Sequence, residues 1–108
     1  MWKSYHQPRT LAEALALLAA HPSARVVAGG TDILVELARR FRPTDRLIDL
    51  SRVDGLRYLR RDGDELRIGA LATHNDVIAS ADCVAAALPL AQAAIEVGAP
   101  QIRARATV

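Results

Sequence analysis

Val26-Val27-Ala28-Gly29-Gly30-Thr31-Asp32-Ile33-Leu34 is the stretch on which the reading of this 108-residue chain turns. The β-branched run from Arg25 to Ala28 predicts a short buried strand. Two glycines follow, and apolar residues then return at helical spacing at Leu34, Leu37, Ala38 and Phe41, with Thr31 or Asp32 placed to cap. A strand that runs through Gly-Gly into a helix start can cradle an anion. Glycine lets the backbone approach a phosphate closely, and the amides of the turn are free to donate. The same spacing also answers to a plain turn that needs glycine for its backbone angles. Asp32 puts a negative charge at that helix start, in competition with any phosphate. No Gly-Lys-Ser/Thr follows, so the stretch is not a P-loop, and the Gly-x-Gly-x-x-Gly fingerprint is absent.

Working outward, Thr10-Leu11-Ala12-Glu13 is a capping box in which Thr10 and Glu13 satisfy each other's amides. It opens a helix with Leu11, Ala14, Leu15, Leu18 and Ala19 on its apolar face, and His21-Pro22 ends it. Ser4 to Gln7 is expected to form a short edge strand. Beyond the glycine turn, Arg39, Arg40 and Arg42 crowd the carboxyl end of the second helix, where positive charge suits the dipole. Pro43 is expected to stop that helix, and Arg46-Leu47-Ile48-Asp49-Leu50 is the next strand. The order β-α-β-α-β describes a small α/β subdomain over residues 1–53.

Residues 54–108 differ in character. Leu56, Tyr58 and Arg60 alternate with Arg57, Leu59 and Arg61, and Leu66, Ile68 and Ala70 alternate after Asp62-Gly63, a hairpin signal. Thr73-His74-Asn75-Asp76 caps a short helix. Ala81 to Leu88 and Pro89 to Val97 read as helical pieces bent at Pro89, and Gly98 is a helix stop. Gln101 to Val108 is expected to enter a strand and to be interrupted there. The fold class is therefore α+β: a small α/β subdomain, then the beginning of a larger antiparallel-sheet-plus-helices one.

Composition narrows the function classes. The net charge is +2, and Trp2, Tyr5, Phe41 and Tyr58 are too scattered to stack bases beside a basic stripe, which argues against nucleic acid. The single cysteine, Cys83, supports neither a disulfide framework nor an all-cysteine metal site, and is expected to pack as a small apolar side chain. His6, His21 and His74 lack ligand spacing, so no metal site is assigned. No Gly-x-Ser-x-Gly elbow supports a hydrolase. Arg103 and Arg105 suit an anion or plain surface charge. No signal-length apolar run and no membrane-spanning stretch is found, and a cytoplasmic protein is expected.

At this point the motifs resemble a known family. Ala28-Gly29-Gly30-Thr31-Asp32-Ile33-Leu34 is similar to the first flavin-binding loop of the FAD subunits of molybdenum hydroxylases of the carbon monoxide dehydrogenase and xanthine dehydrogenase type. Tyr5-His6-Gln7-Pro8, Thr10 to Leu15, Leu47-Ile48-Asp49-Leu50-Ser51, Ile68 to His74 and Gln101 to Val108 follow in the family's order. The resemblance implies a flavin domain of the p-cresol methylhydroxylase (PCMH) type, with the flavin between its two subdomains. It implies FAD-binding positions at Val27, Ala28, Gly29, Gly30, Thr31, Asp32, Ile33, Leu34 and Thr107, with Leu71-Ala72-Thr73 a further neighbour. It assigns no catalytic residue. It also implies a molybdopterin-binding large subunit and a [2Fe-2S] small subunit as partners, with electrons passing from iron–sulfur clusters through FAD to an external acceptor. The family's second loop reads Ala-Thr-Val-Gly-Gly-Asn, of which Ala106-Thr107-Val108 is present; Ala104 stands where an asparagine is common. From this the expectation is weak flavin binding or none by this chain alone, with self-association through exposed apolar surface. Two other readings stay open: another PCMH-type flavin oxidoreductase, or a truncated non-catalytic interaction fragment.

Overall fold

The computed structural model describes residues 2–108. They form two compact units, residues 2–54 and 55–108.

In the first unit the elements are β1 (Ser4–His6), α1 (Leu11–Ala20), β2 (Arg25–Val27), α2 (Ile33–Ala38) and β3 (Arg46–Asp49). The strands form a parallel sheet in the order β1-β3-β2, so the last strand in sequence is the central one. Leu47 and Ile48 of β3 are 1% and 0% exposed, as a central strand requires. Leu47, Val27 and Leu37 make the core on one face, with Trp2 and Ile33 packed against them.

Several expectations are corrected here. β2 is an edge strand with Val27 buried and Val26 exposed, not a strand buried on both faces. Of the predicted α1 face only Ala14 is buried, with Leu18 half-buried; of the predicted α2 face only Leu37 is buried. The reason is area: a sheet of three short strands offers each helix a narrow strip, and the flanks of each apolar stripe stay outside. The Thr10 hydroxyl caps α1 by accepting from Glu13 N at 3.1 Å, but the Glu13 carboxylate reaches back to Arg9 N at 3.2 Å rather than to Thr10.

Helix α2 also stops before Pro43. Arg40 takes a left-handed backbone, φ 57°, and the Phe41 and Arg40 amides donate to the carbonyls of Glu36 at 2.8 Å and Leu37 at 3.0 Å. This is a Schellman closure with arginine in the place that glycine usually fills. Arg25 steadies the turn, pairing with Glu36 at 2.5 Å and donating to the Arg42 carbonyl at 2.9 Å.

The second unit opens on the antiparallel pair β4 (Leu59–Asp62) and β5 (Glu65–Ile68). Asp62 pairs with Glu65, so the two-residue turn is Gly63-Asp64, and Gly63 alone supplies the positive φ, +60°. Past the strands, Gly69 N donates to Tyr58 O at 2.8 Å and Leu71 N to Leu56 O at 2.9 Å. That approach needs glycine: a Cβ at Gly69 would lie 2.2 Å from the Leu56 carbonyl oxygen.

Helices α3 (His74–Ala79), α4 (Ala81–Ala86), α5 (Leu88–Ile95) and α6 (Pro100–Arg103) follow. Thr73 and Asp76 form a complete capping box on α3, as expected, and Ser80 caps α4. Val77, Cys83, Ala91 and Ala94 form the core, with Cys83 packed as an apolar residue. Pro89 does not bend a helix; it sits in the first turn of α5, where its missing donor costs nothing, and the break falls at Ala87 (φ −143°, ψ 49°). The strand predicted for Gln101 to Val108 is absent. Pro100 starts the short helix α6, and the chain then forms one bridge, Thr107 to Thr73, with Val108 N donating to Ala72 O at 3.0 Å. Arg103 Nη1 donates to the carbonyls of Ile95 (3.0 Å), Gly98 (3.3 Å) and Val97 (3.4 Å) and covers the carboxyl end of α5.

Candidate functional site

The glycine turn follows directly from the end of β2. The Val27 carbonyl accepts from Leu50 N at 2.8 Å, which pins the strand end to the residue after β3. Ala28, Gly29, Gly30 and Thr31 then run half-buried to the helix, and Gly30 turns the chain with φ +79°. A Cβ at Gly30 would come within 3.2 Å of Leu34 Cδ1 and 4.0 Å of Val27 Cγ1, so the turn is closely walled on that side.

Asp32 occupies the cap position of α2, yet its carboxylate makes no bond to the helix. Its backbone is already helical, φ −102° and ψ −51°, whereas Thr10 and Thr73 are extended and aim their hydroxyls at the first turn. The expected cap by Thr31 or Asp32 is thus missing. Independently of the cap, among the described residues the amides of Gly29, Gly30, Thr31, Asp32 and Ile33 find no acceptor. Consecutive unpaired amides on a glycine turn are donors open to an acceptor.

Ile33 is half-buried and packs on the Val27–Leu37–Leu47 core, while Leu34 is 47% exposed beside the turn. Thr107 belongs to the second unit, where it is bridged to Thr73; Leu71, Ala72 and Thr73 are all buried there. Val27 to Leu34 are therefore one continuous feature, and Thr107 is part of another.

Sequence reasoning missed two clusters in the first unit. Asp49 is buried, and its carboxylate accepts from the Tyr5 hydroxyl, from Gln7 Nε2 at 3.1 Å and from Ser51 N at 2.9 Å. Burial pushes its pKa up, but the bonds from Tyr5, Ser51 and Gln7 outweigh it and hold the carboxyl below its usual range. The signal was a lone acid inside an apolar strand. In the second cluster the rings of His6 and His21 stack at 6.1 Å, and the Arg46 guanidinium touches His21 Nε2. Desolvation first, then the charge of Arg46 and the neighbouring His6, lowers the His21 pKa. Among the described residues no group of three or more His, Cys, Asp or Glu side chains is arranged for a metal, and no helix is long and apolar enough to cross a membrane.

Residues 2–108 match the family described as the FAD binding domain in molybdopterin dehydrogenase. The chain is 42% identical over 106 residues to the carbon monoxide dehydrogenase medium chain of Hydrogenophaga pseudoflava, covering 96% of this chain and 37% of that one. It is 38% identical over 106 residues to the xanthine dehydrogenase FAD-binding subunit of Escherichia coli O157:H7, covering 96% of this chain and 36% of the subunit. Among solved structures it resembles the Hydrogenophaga pseudoflava carbon monoxide dehydrogenase that lacks the Mo-pyranopterin moiety of the molybdenum cofactor. The TM-score is 0.94 at 37% identity, over 99% of this chain and 38% of that one. The chain thus spans just over a third of the length of these relatives, 36% to 38%.

Proposed function

This chain belongs to the family of FAD-binding domains of molybdopterin dehydrogenases, and we propose that its Gly29-Gly30 turn holds the diphosphate of FAD in the FAD subunit of a molybdenum hydroxylase. The observation that carries the reading is the run of unpaired amides from Gly29 to Ile33 at the turn into α2. A diphosphate is the acceptor such a run suits, and the left-handed Gly30 lets it approach the backbone. Val27 anchors the turn, Ile33 fixes it to the core, and exposed Leu34 offers an apolar flank to the cofactor.

When bound, FAD supplies the redox chemistry, taking electrons from iron–sulfur clusters and passing them to an external acceptor. The residues of this chain bind and orient; among the described residues none is assigned as a general acid or base. The partners are a molybdopterin-binding large subunit and an iron–sulfur small subunit, assembled in the cytoplasm. This is the assembly suggested by relatives named as medium chains and FAD-binding subunits.

Two preparations test the reading: the 108-residue chain, and the Escherichia coli FAD-binding subunit carrying this chain in place of its own matching 106 residues. Each is titrated with FAD and FMN by flavin fluorescence. Saturable binding by the graft that prefers FAD is expected. A folded graft that binds no FAD, beside a native subunit that does, overturns the assignment.

A further inference from the structure

A carboxylate sealed at the end of a small sheet is costly unless donors surround it. Asp49, 6% exposed, has three: the Tyr5 hydroxyl, Gln7 Nε2 at 3.1 Å and Ser51 N at 2.9 Å. Tyr5 lies in β1 and Gln7 just past it, while Ser51 lies just past β3, so the carboxylate ties those two strands together at their carboxyl ends. The third strand is reached through the backbone. Asp49 is in register with Val27, and Leu50 N holds the Val27 carbonyl at 2.8 Å. Val27 is the last residue before the turn to pair in the sheet. Strand alternation puts Asp49 on the same face of β3 as Leu47, the face that packs with Val27, Leu37 and Ile33. The three donors are neutral, so the site keeps its negative charge rather than cancelling it. A negative charge on that face does not attract a phosphate, and its use must be geometric.

From this arrangement we propose that Asp49 is a positioning residue for the glycine turn. By locking the carboxyl ends of β1, β3 and β2, it holds the amides of Gly29 to Asp32 in the arrangement that receives a diphosphate. The inference rests on the FAD reading above and deepens it. It also assigns a task to Tyr5, whose hydroxyl is the donor brought from the far edge of the sheet.

The test uses the Escherichia coli graft with Asp49→Asn or Tyr5→Phe. Three quantities are read: the Kd for FAD, the melting temperature without flavin, and the hydrogen exchange of the segment 27–34 with and without FAD. Asp49→Asn and Tyr5→Phe are each expected to raise the Kd about tenfold, the scale of one lost hydrogen bond to a charged group. The protection that FAD confers on 27–34 shrinks in both, while the rest of the first unit exchanges as before. Tyr5→Phe keeps the buried carboxylate and carries the test where Asp49→Asn does not fold. A folded variant with unchanged FAD affinity overturns the proposal, as does protection lost evenly across the unit. Tighter FAD binding by Asp49→Asn also overturns it, since the carboxylate would then act as a charge against the diphosphate. Failure of the unsubstituted graft to bind FAD removes the FAD reading itself, and the role of Asp49 with it.

Discussion

Replacing Gly30 by alanine tests the glycine turn most directly. Gly30 sits at φ +79°, a region where an L-residue pays about 1–2 kcal/mol. Alanine also restricts the unfolded chain, which returns about 0.4–1 kcal/mol. The new Cβ would lie 3.2 Å from Leu34 Cδ1, the tip of a half-exposed side chain that can rotate away, so the steric addition is small. The net expectation is a loss of about 1 kcal/mol, measured by urea unfolding. The second effect is on the ligand. Relaxing the strain turns the peptide planes at Gly29 and Gly30, and losing one amide bond to a charged phosphate weakens FAD about tenfold or more. Gly63→Ala is the matched control, because Gly63 also has positive φ, +60°, with nothing within 4 Å, and lies in the hairpin of the second unit. It should lose similar stability and bind FAD as before. Gly30→Ala unfolding at the native urea midpoint would refute the strain argument. Stability lost with FAD affinity intact would refute the placement of the diphosphate.

Three further outcomes are expected. Arg40→Gly should stabilise the first unit by about 0.5–1 kcal/mol, because the Schellman closure at φ 57° suits glycine better than arginine; a melt that does not rise contradicts this. Gly69→Ala should cost about 3 kcal/mol or more, since the clash is with the Leu56 carbonyl oxygen and backbone cannot rotate away; hydrogen exchange across β4 and β5 would report it. Stability should fall with acid in two stages. His21 has a folded pKa below its ordinary 6.5, so the unfolded chain takes that proton first and stability drains as the pH drops through about 6.5. Asp49, also lowered, stabilises above the ordinary carboxylate value of 3.8, and its contribution disappears as the pH falls through its depressed folded value. His21→Gln should flatten the first stage alone in urea unfolding followed from pH 8 to 5.

The family resemblance drawn from the motifs is borne out by the match over residues 2–108, as is the α+β class. At the site, Gly29-Gly30 between a strand and a helix was readable because glycine at such a turn is a local requirement, set by neighbouring backbone atoms. That Asp32 leaves the cap empty was not readable. Its residue type favours capping, and only the helical backbone imposed on it in the folded turn prevents it.

The same division holds through the chain. Features settled within a few residues were decided by the sequence alone: the hydroxyl caps at Thr10 and Thr73, the primed turn at Gly63, the order of strands and helices as far as α5, and the cysteine that packs as a hydrophobe. Pairing between distant segments was decided only by the tertiary structure. It inserted β3 between β1 and β2, left Val26 exposed, and closed α2 at Arg40 ahead of Pro43. It also wound Pro100–Arg103 into a helix where the stretch from Gln101 was expected to enter a strand, and brought Tyr5 and Gln7 onto Asp49 across separations of 44 and 42 residues. The physical reason is range. Capping and turn preferences are free energies of neighbouring atoms, whereas burial and strand order depend on which remote surfaces compete for the same few square ångströms of sheet.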